Sequence, residues 1–325
     1  MTPAIVRALI LALALLALPA QPAAAQEHPA QPAIAALQDD GHAAAEEGEY
    51  DIITPHITDG DHLEIPYWKS PFYKQVHLPT GWIVNIGPIS MDLSPTKHVV
   101  FLILAATLAS LLLVGSARAL TRQTRQIGRP KGLAAGIEAM VLYLRSEVIL
   151  PNVGKNGNGF VPFLLTLFFF ILFANLLGLV PYGATATGNI SVTAMLAVIS
   201  FVVIEIAGMR ALGRGYLGTV FYWPHDMPLG MKIPMTLIMT PVEIVGKFTK
   251  PFALAIRLFA NMTAGHIIVL AFIGLIFTFG GIASGAPFLM AVAIMLLEIF
   301  VAFLQAFIFT LLTAVFIGQI REAHH

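Results

Sequence analysis

Arg257 stands alone in an apolar stretch that begins at Pro251 and runs to about Phe279. A charge in the middle of a membrane is costly, so it persists only where it has a function and an acidic or aqueous partner. The residue therefore indicates a protein that moves an ion across a membrane.

Further polar side chains follow in the same stretch and in the next apolar one. They are Asn261 and His266 in the first stretch and Glu298, Gln305 and Thr310 in the second. At about 100° per residue, Asn261 lies on nearly the same helix face as Arg257, whereas His266 points to the opposite side. Gln305 lies two turns beyond Glu298 on one face, so a polar line runs along the last helix.

A helical hairpin that turns near residues 280–285 would bring His266 and Glu298 to a comparable depth. A buried imidazole and a buried carboxylate within reach of each other can pass protons. Each also has a simpler interpretation, because His266 could be a hydrogen-bonded core residue and Glu298 could merely neutralise Arg257. Together with the two amides on the same helices, the pair favours a proton path.

Composition places the chain in a membrane. With 57% hydrophobic and 11% charged residues in a chain of 325, it cannot form one soluble core of ordinary composition. The net charge is zero and nothing points to nucleic acid. The absence of cysteine excludes disulfides, thiolate metal sites and a cysteine nucleophile. The glycine-rich segment 154–159 lacks the Lys-Ser/Thr of a phosphate-binding loop, so ATP hydrolysis is not expected.

The apolar windows predict an all-α polytopic membrane protein. Five transmembrane helices are expected at about 97–117, 161–181, 190–212, 251–280 and 286–317. The last two, about 45 Å long for a hydrocarbon core of about 30 Å, would be tilted and paired as a hairpin. Residues 132–150 form a predicted interfacial amphipathic helix. Residues 227–250, which contain three prolines, are predicted to lead into the fourth span.

The termini divide the chain into four segments. Arg7, an apolar run and small residues predict a signal peptide at 1–25, with an uncleaved anchor as the alternative. Residues 26–95 are expected to be extracytoplasmic, partly disordered at first and then an interfacial collar. The transmembrane domain is placed at 96–320 and a cytoplasmic tail at 321–325.

Basic residues predict the orientation. The loop after the first span carries Arg118, Arg122, Arg125, Arg129 and Lys131, and the third span ends at Arg210 and Arg214. Both loops are therefore expected in the cytoplasm, with the mature N-terminus outside and the C-terminus inside.

Two other sets of polar residues are interpreted as solvated or structural rather than functional. His56, Asp59, Asp61 and His62 could be drawn as a metal site, but their spacing fits no regular metal motif and a solvated loop is preferred. Glu205 lies near Arg210 in the third span, which favours a local structural role.

The motif sequences resemble subunit a of the F-type ATP synthase. The resemblance lies in Arg257-Leu-Phe-Ala-Asn-Met-Thr-Ala-Gly265 and Leu304-Gln-Ala-Phe-Ile-Phe-Thr-Leu-Leu312. Asn175-Leu-Leu-Gly-Leu-Val-Pro181 is similar to the family's Asn-Leu-x-x-Leu-x-Pro segment. Pro241-Val-Glu-Ile244 with Lys250-Pro251 is similar to the stretch ahead of its arginine.

The resemblance, which covers about residues 95–320, implies a stator that holds two offset aqueous half-channels against a rotating ring of c subunits. Arg257 would face that ring. The implied partners are the c-subunit ring, the b subunits of the peripheral stalk, the F1 sector indirectly, and membrane lipid. No cofactor is implied, and the implied location is the bacterial inner membrane.

Matching residues are implied for both half-channels. The outer one would be lined by His266, Glu298, Asn261 and Gln305, with Asn175 and Thr193 contributing from neighbouring helices. Glu243 matches the cytoplasmic half-channel position, about 21 Å and ~40° from Arg257 if one helix is continuous. The alternative is a surface carboxylate that pairs with Lys247 one turn later.

Two positions depart from common members of the family. His266 and Glu298 exchange the Glu and His of one common bacterial pattern, which keeps one acid and one imidazole. Gly178 stands where some members have Asp, which leaves Asn175 as the nearby polar group. The choice between proton and sodium stays open.

Two other classes of function fit the sequence less well. A secondary transporter would show paired inverted halves, and the five spans show no such repeat. A purely structural subunit would not require Arg257 at the membrane centre.

Overall fold

A computed structural model describes most of the chain beyond its N-terminal segment. The described residues are 60, 62–66, 73–79, 83–86, 89–92, 94–127, 131–180, 183, 185–221 and 228–322. The predicted signal peptide, the first part of the predicted extracytoplasmic segment and the last three residues lie outside them. So do three of the four residues of the rejected metal site, and the side chain of His62.

Two short antiparallel hairpins precede the first span. Strand β1 (His62–Pro66) pairs with β2 (Tyr73–His77), and β3 (Ile83–Ile86) pairs with β4 (Ile89–Asp92). Their β-branched and aromatic residues favour strands, although the sequence analysis predicted only an interfacial collar here. The Lys97 amide donates to the Gly60 carbonyl oxygen at 3.0 Å, which ties the start of the first hairpin to the start of the first helix.

The rest of the described chain is helical, as predicted. The helices are α1 (Lys97–Ile127), α2 (Leu133–Tyr143), α3 (Leu150–Val153), α4 (Val161–Gly178), α5 (Ile190–Leu212), α6 (Leu229–Phe279) and α7 (Gly285–Glu322). Five of them, α1 and α4 to α7, are long and apolar enough to cross a membrane. The prediction of an all-α membrane protein with five spans is confirmed. The last helix runs to Glu322, two residues into the predicted tail.

Helix α6 joins two segments that the sequence analysis separated. Its 51 residues, Leu229–Phe279, include nearly all of the predicted lead and of the predicted fourth span, and they extend over about 77 Å. Pro234, Pro241 and Pro251 lie inside it, and such prolines are tolerated where neighbouring helices and local adjustments satisfy the freed backbone groups. Glu243 and Arg257 therefore lie on one continuous helix.

Helix α7 packs against α3, α4, α5 and α6. Two glycines allow close approach, because a Cβ at Gly318 would overlap the Asn152 carbonyl oxygen and a Cβ at Gly208 would meet the Ile320 side chain at 2.7 Å. Helix α4 lies deepest, with residues 167–172 buried along the whole run. This packing fixes α7, and with it the polar line that the sequence predicts.

The segment 133–153 is one helical stretch in which a six-residue π-helix (Leu144–Ile149) joins α2 to α3. Arg145 and Glu147 are exposed, whereas Leu144, Val148 and Ile149 are buried. The predicted amphipathic character is confirmed, and the apolar side faces the helix bundle.

Candidate functional site

Arg257 lies on a face of α6 that no other part of the described chain covers. Its side chain is exposed, and three exposed alanines flank it at helical spacing, namely Ala253, Ala260 and Ala264. Arg257 makes no ion pair or hydrogen bond with any residue that the structure describes. A permanently charged group in an apolar helix thus has small residues at helical spacing beside it, and no carboxylate within the described ranges pairs with it.

Glu298 packs directly against α6 at Gly265. Only 7% of the Glu298 residue surface is exposed, and a Cβ at Gly265 would overlap its carboxylate and lie 3.0 Å from its Cδ atom. Gly265 immediately precedes His266, which is half-buried. The hairpin thus places Glu298 at the level of His266, as the sequence predicted. Glu298 lies more than two helical turns from Arg257.

Gln305 and Asn261 differ in environment although the sequence grouped them. Gln305 is 5% exposed and lies on the same buried face of α7 as Glu298. Asn261 is exposed, one turn beyond Arg257 on the uncovered face of α6. The structure therefore brings Glu298 and Gln305 together on one inner face, and Arg257 and Asn261 together on an outer one.

Asn175 connects three elements in the interior. Its Oδ1 accepts a hydrogen bond from the Thr187 hydroxyl at 2.7 Å, and its Nδ2 donates to the Ala302 carbonyl oxygen at 3.3 Å. Thr187 lies in a buried 3₁₀ turn (Ala186–Gly188) before α5, and Ala302 lies between Glu298 and Gln305 on α7. Asn175 thus fixes the segment of α7 that carries the two buried polar groups.

The nearby positions Gly178 and Thr193 have local roles in packing. The Thr185 side chain occupies the space that a Cβ at Gly178 would need, and its hydroxyl donates to the Gly178 carbonyl oxygen at 3.4 Å. Thr193 is fully buried, and its hydroxyl donates to the Ile190 carbonyl oxygen of its own helix at 3.1 Å. The absence of a side chain at Gly178 therefore makes room for a threonine.

Glu243 is exposed on α6, and the structure does not pair it with Lys247. Lys247 contacts Glu205 of α5 instead, with its Nζ 3.1 Å from Oε2. Glu205 also accepts a hydrogen bond from the Tyr216 hydroxyl. Glu205 has a local structural partner, as the sequence analysis favoured, but that partner is Lys247 rather than Arg210.

Sequence reasoning missed Gly265, Thr187 and the Lys247 contacts. Gly265 carried a signal, because a glycine inside a membrane helix beside His266 marks a close approach of another group. Thr187 and Lys247 carried none, since their partners are brought to them only by tertiary packing.

No group of three or more His, Asp or Glu residues in the described ranges could hold a metal ion. The polar residues of the site are instead spaced along two helices. Such an arrangement suits transfer of protons between separate groups.

A family model described as ATP synthase A chain matches residues 99–318. The chain is 45% identical over 285 residues to ATP synthase subunit a 2 of Chlorobaculum tepidum, which covers 87% of this chain and 76% of that protein. It is 42% identical over 307 residues to ATP synthase subunit a of Anaeromyxobacter dehalogenans, with coverage of 90% and 76%. It is 46% identical over 267 residues to the subunit a of Chloroherpeton thalassium, with coverage of 81% and 74%.

Proposed function

The chain belongs to the ATP synthase A chain family, and on that premise we propose that it forms two proton half-channels beside a rotating c-subunit ring. Membership makes it a multi-pass, non-catalytic, proton-translocating subunit of the membrane sector Fo, in which it belongs to the stator and works with the other Fo subunits. The finer proposal is that Arg257 couples proton movement at the ring to ATP synthesis.

The observation that carries this proposal is the isolation of Arg257 on an open face. An arginine inside the membrane needs an acidic or aqueous partner, and the described chain supplies no carboxylate within ion-pair distance. The flanking alanines Ala253, Ala260 and Ala264 leave room for another helix to approach closely. A helix that brings a membrane carboxyl, as each c subunit would, satisfies both conditions.

Arg257 then acts on each c-subunit carboxyl that passes. Its fixed positive charge favours the ionised carboxylate, so the carboxyl gives up its proton on one side of the arginine and takes one up on the other. The same charge repels a proton that would cross directly between the half-channels. Lysine is a poorer substitute, because a buried ammonium can lose its proton.

The outer half-channel follows the α6–α7 hairpin. Glu298 and His266 lie at one level and hand on protons, and Gln305 and Asn261 continue the polar lining toward Arg257. Asn175 and Thr193 contribute from neighbouring helices. Their hydrogen bonds inside the chain favour a role in holding the wall of the path rather than in carrying the proton.

The cytoplasmic half-channel begins at Glu243. This carboxylate is exposed, and it lies on the same continuous helix as Arg257, about 21 Å and ~40° away. The two half-channels therefore approach Arg257 from opposite ends of α6.

The remaining partners and the location are part of the same proposal. The chain would contact the c-ring, the b subunits of the peripheral stalk and membrane lipid, and the F1 sector only indirectly. It would lie in the bacterial inner membrane with the mature N-terminus outside and the C-terminus inside. Residues 1–25 would be a signal peptide, 26–95 an extracytoplasmic segment, 96–320 the transmembrane domain and 321–325 a cytoplasmic tail.

Cysteine cross-linking tests the contact with the ring. The chain has no cysteine of its own, so single substitutions report one position each. We expect Ala260→Cys, on the Arg257 face, to form disulfides with a cysteine placed one turn from the c-subunit carboxyl. Ala255→Cys is the matched control, because Ala255 is only 4% exposed and points into the bundle. Equal cross-linking at both positions, or none at Ala260→Cys in an assembled complex, would contradict the proposed docking face.

A further inference from the structure

Lys247 has two carboxylates that it could pair with. Glu243 lies one turn earlier on the same helix, with the acidic residue N-terminal to the lysine, which is the favourable order for an ion pair at this spacing. Glu205 lies on the neighbouring helix α5. Local sequence therefore favours the pair within α6, and only tertiary packing can override it.

In the structure, Lys247 contacts Glu205 of α5 rather than Glu243. Its Nζ lies 3.1 Å and 3.5 Å from the two Glu205 carboxylate oxygens, 3.1 Å from the Thr219 hydroxyl and 3.4 Å from the Tyr216 hydroxyl. It also lies 4.5 Å from the centroid of the Tyr216 ring. The Lys247 and Glu205 side chains are 16% and 14% exposed. For Lys247, several hydrogen-bond acceptors and an aromatic ring in this partly buried site provide a stronger interaction than the one exposed Glu243 carboxylate would.

A second lysine near Glu243 is also held elsewhere. Lys250 lies two turns beyond Glu243 on the same side of α6. Its Nζ donates to the Gln319 Oε1 atom of α7 at 3.3 Å and lies 5.0 Å from the Phe316 ring centroid. Glu243 is left exposed, with no hydrogen bond or ion pair to any residue within the described ranges.

We propose that Glu205 is a positioning residue that holds Lys247 away from Glu243 and so keeps the Glu243 carboxylate available to protons. This inference rests on the proposed role of Glu243 at the cytoplasmic half-channel. An ammonium beside Glu243 would favour its ionised form, so the carboxylate would release a proton readily but bind the next one poorly. A group that must do both at every step works better without that neighbour.

The test compares four variants for ATP-driven proton pumping in vesicles that carry the assembled complex. They are Glu205→Gln, Lys247→Gln, the Glu205→Gln/Lys247→Gln double variant and Glu243→Gln. We expect Glu205→Gln to lower pumping about twofold, because an exposed ion pair at this spacing changes the ratio of paired to unpaired Glu243 by up to about that factor. We expect Lys247→Gln and the double variant to pump at close to the wild-type rate, because neither has an ammonium that can move to Glu243.

The pattern separates this inference from its alternatives. If the contact merely fastened α6 to α5, Lys247→Gln would lose as much as Glu205→Gln and the double variant would not recover. That result would overturn the inference. Normal pumping by Glu205→Gln while Glu243→Gln is impaired would also overturn it, but would leave the proposed half-channel intact. Normal pumping by Glu243→Gln would overturn the role of Glu243 and this inference together.

A second measurement does not depend on pumping. Carbodiimide coupling of an adjacent lysine and carboxylate, followed by peptide mass spectrometry, reports which carboxylate Lys247 touches. We expect an amide between Lys247 and Glu205 in the wild type, and between Lys247 and Glu243 in Glu205→Gln. Absence of the second product in the folded Glu205→Gln complex would show that Lys247 does not move to Glu243, and the inference would be wrong.

Discussion

Replacing Gly265 with alanine tests whether the Glu298 carboxylate must lie where the α6–α7 hairpin holds it. The added Cβ would overlap the carboxylate and lie 3.0 Å from Cδ and 3.1 Å from Cγ of Glu298. These atoms belong to the end of a flexible side chain and can move, whereas the backbone of α6 need not. The substitution should therefore displace the carboxylate without opening the hairpin.

The expected magnitudes for stability and for function differ. Removing a glycine from a helix stabilises it by about 0.5–1 kcal/mol, and overpacking costs about 1–3 kcal/mol, here near the lower end because only a side-chain terminus moves. The net change in stability should be within about 1 kcal/mol. The carboxylate must move by roughly 1 Å to regain an ordinary contact distance of about 3.5 Å, and a displacement of that size can cost about 100-fold in rate.

Proton pumping and complex abundance, measured on the same membranes, separate the two effects. Gly274→Ala is the matched control, because a Cβ at Gly274 of the same helix meets no atom within 4 Å. We expect both variants to assemble, Gly274→Ala to pump normally and Gly265→Ala to lose at least about tenfold in pumping. Normal pumping by Gly265→Ala would refute the requirement for the observed position of Glu298.

Two further substitutions test the packing that fixes α7. Thr187→Val removes the hydrogen bond to Asn175 and leaves the buried Asn175 Oδ1 atom without a donor. The complex should therefore lose about 1–3 kcal/mol of stability, measured as a lower unfolding temperature. Thr187→Ser keeps the hydroxyl and should retain most of the stability. If Thr187→Val unfolded at the wild-type temperature, the bond would be unimportant. Gly318→Ala would force a Cβ onto the Asn152 carbonyl oxygen, which is backbone and cannot turn aside, so this variant should reduce assembly itself. Normal assembly of Gly318→Ala would contradict the close approach of α7 to the segment before α4.

The spans and the central arginine could be predicted from the sequence, because both depend on local properties. A run of about 20 apolar residues must form a helix to satisfy its backbone in lipid, and a lone charge such as Arg257 stands out within it. The comparable depth of His266 and Glu298 could also be predicted from the sequence, because one tight turn between two regular helices sets their register.

Other features depend on tertiary contacts that no local pattern encodes. The sequence analysis separated the lead from the fourth span, yet one helix continues through Pro234, Pro241 and Pro251. The i to i+4 spacing offered a Glu243–Lys247 ion pair as the alternative for Glu243. Because α5 packs against α6, Lys247 pairs with Glu205 instead. The hairpins β1–β2 and β3–β4 were missed because their short strands lie among prolines and polar residues.

The most direct test of the account is ATP-driven proton pumping by membrane vesicles that carry the Arg257→Ala complex. Arg210→Ala provides the matched control, because Arg210 is also exposed but lies in the last turn of α5 and not on the helix that carries Arg257. We predict that Arg257→Ala assembles normally and loses coupled pumping, whereas Arg210→Ala retains it. Coupled pumping at the wild-type rate by Arg257→Ala would contradict the central claim that this residue couples proton movement to the ring.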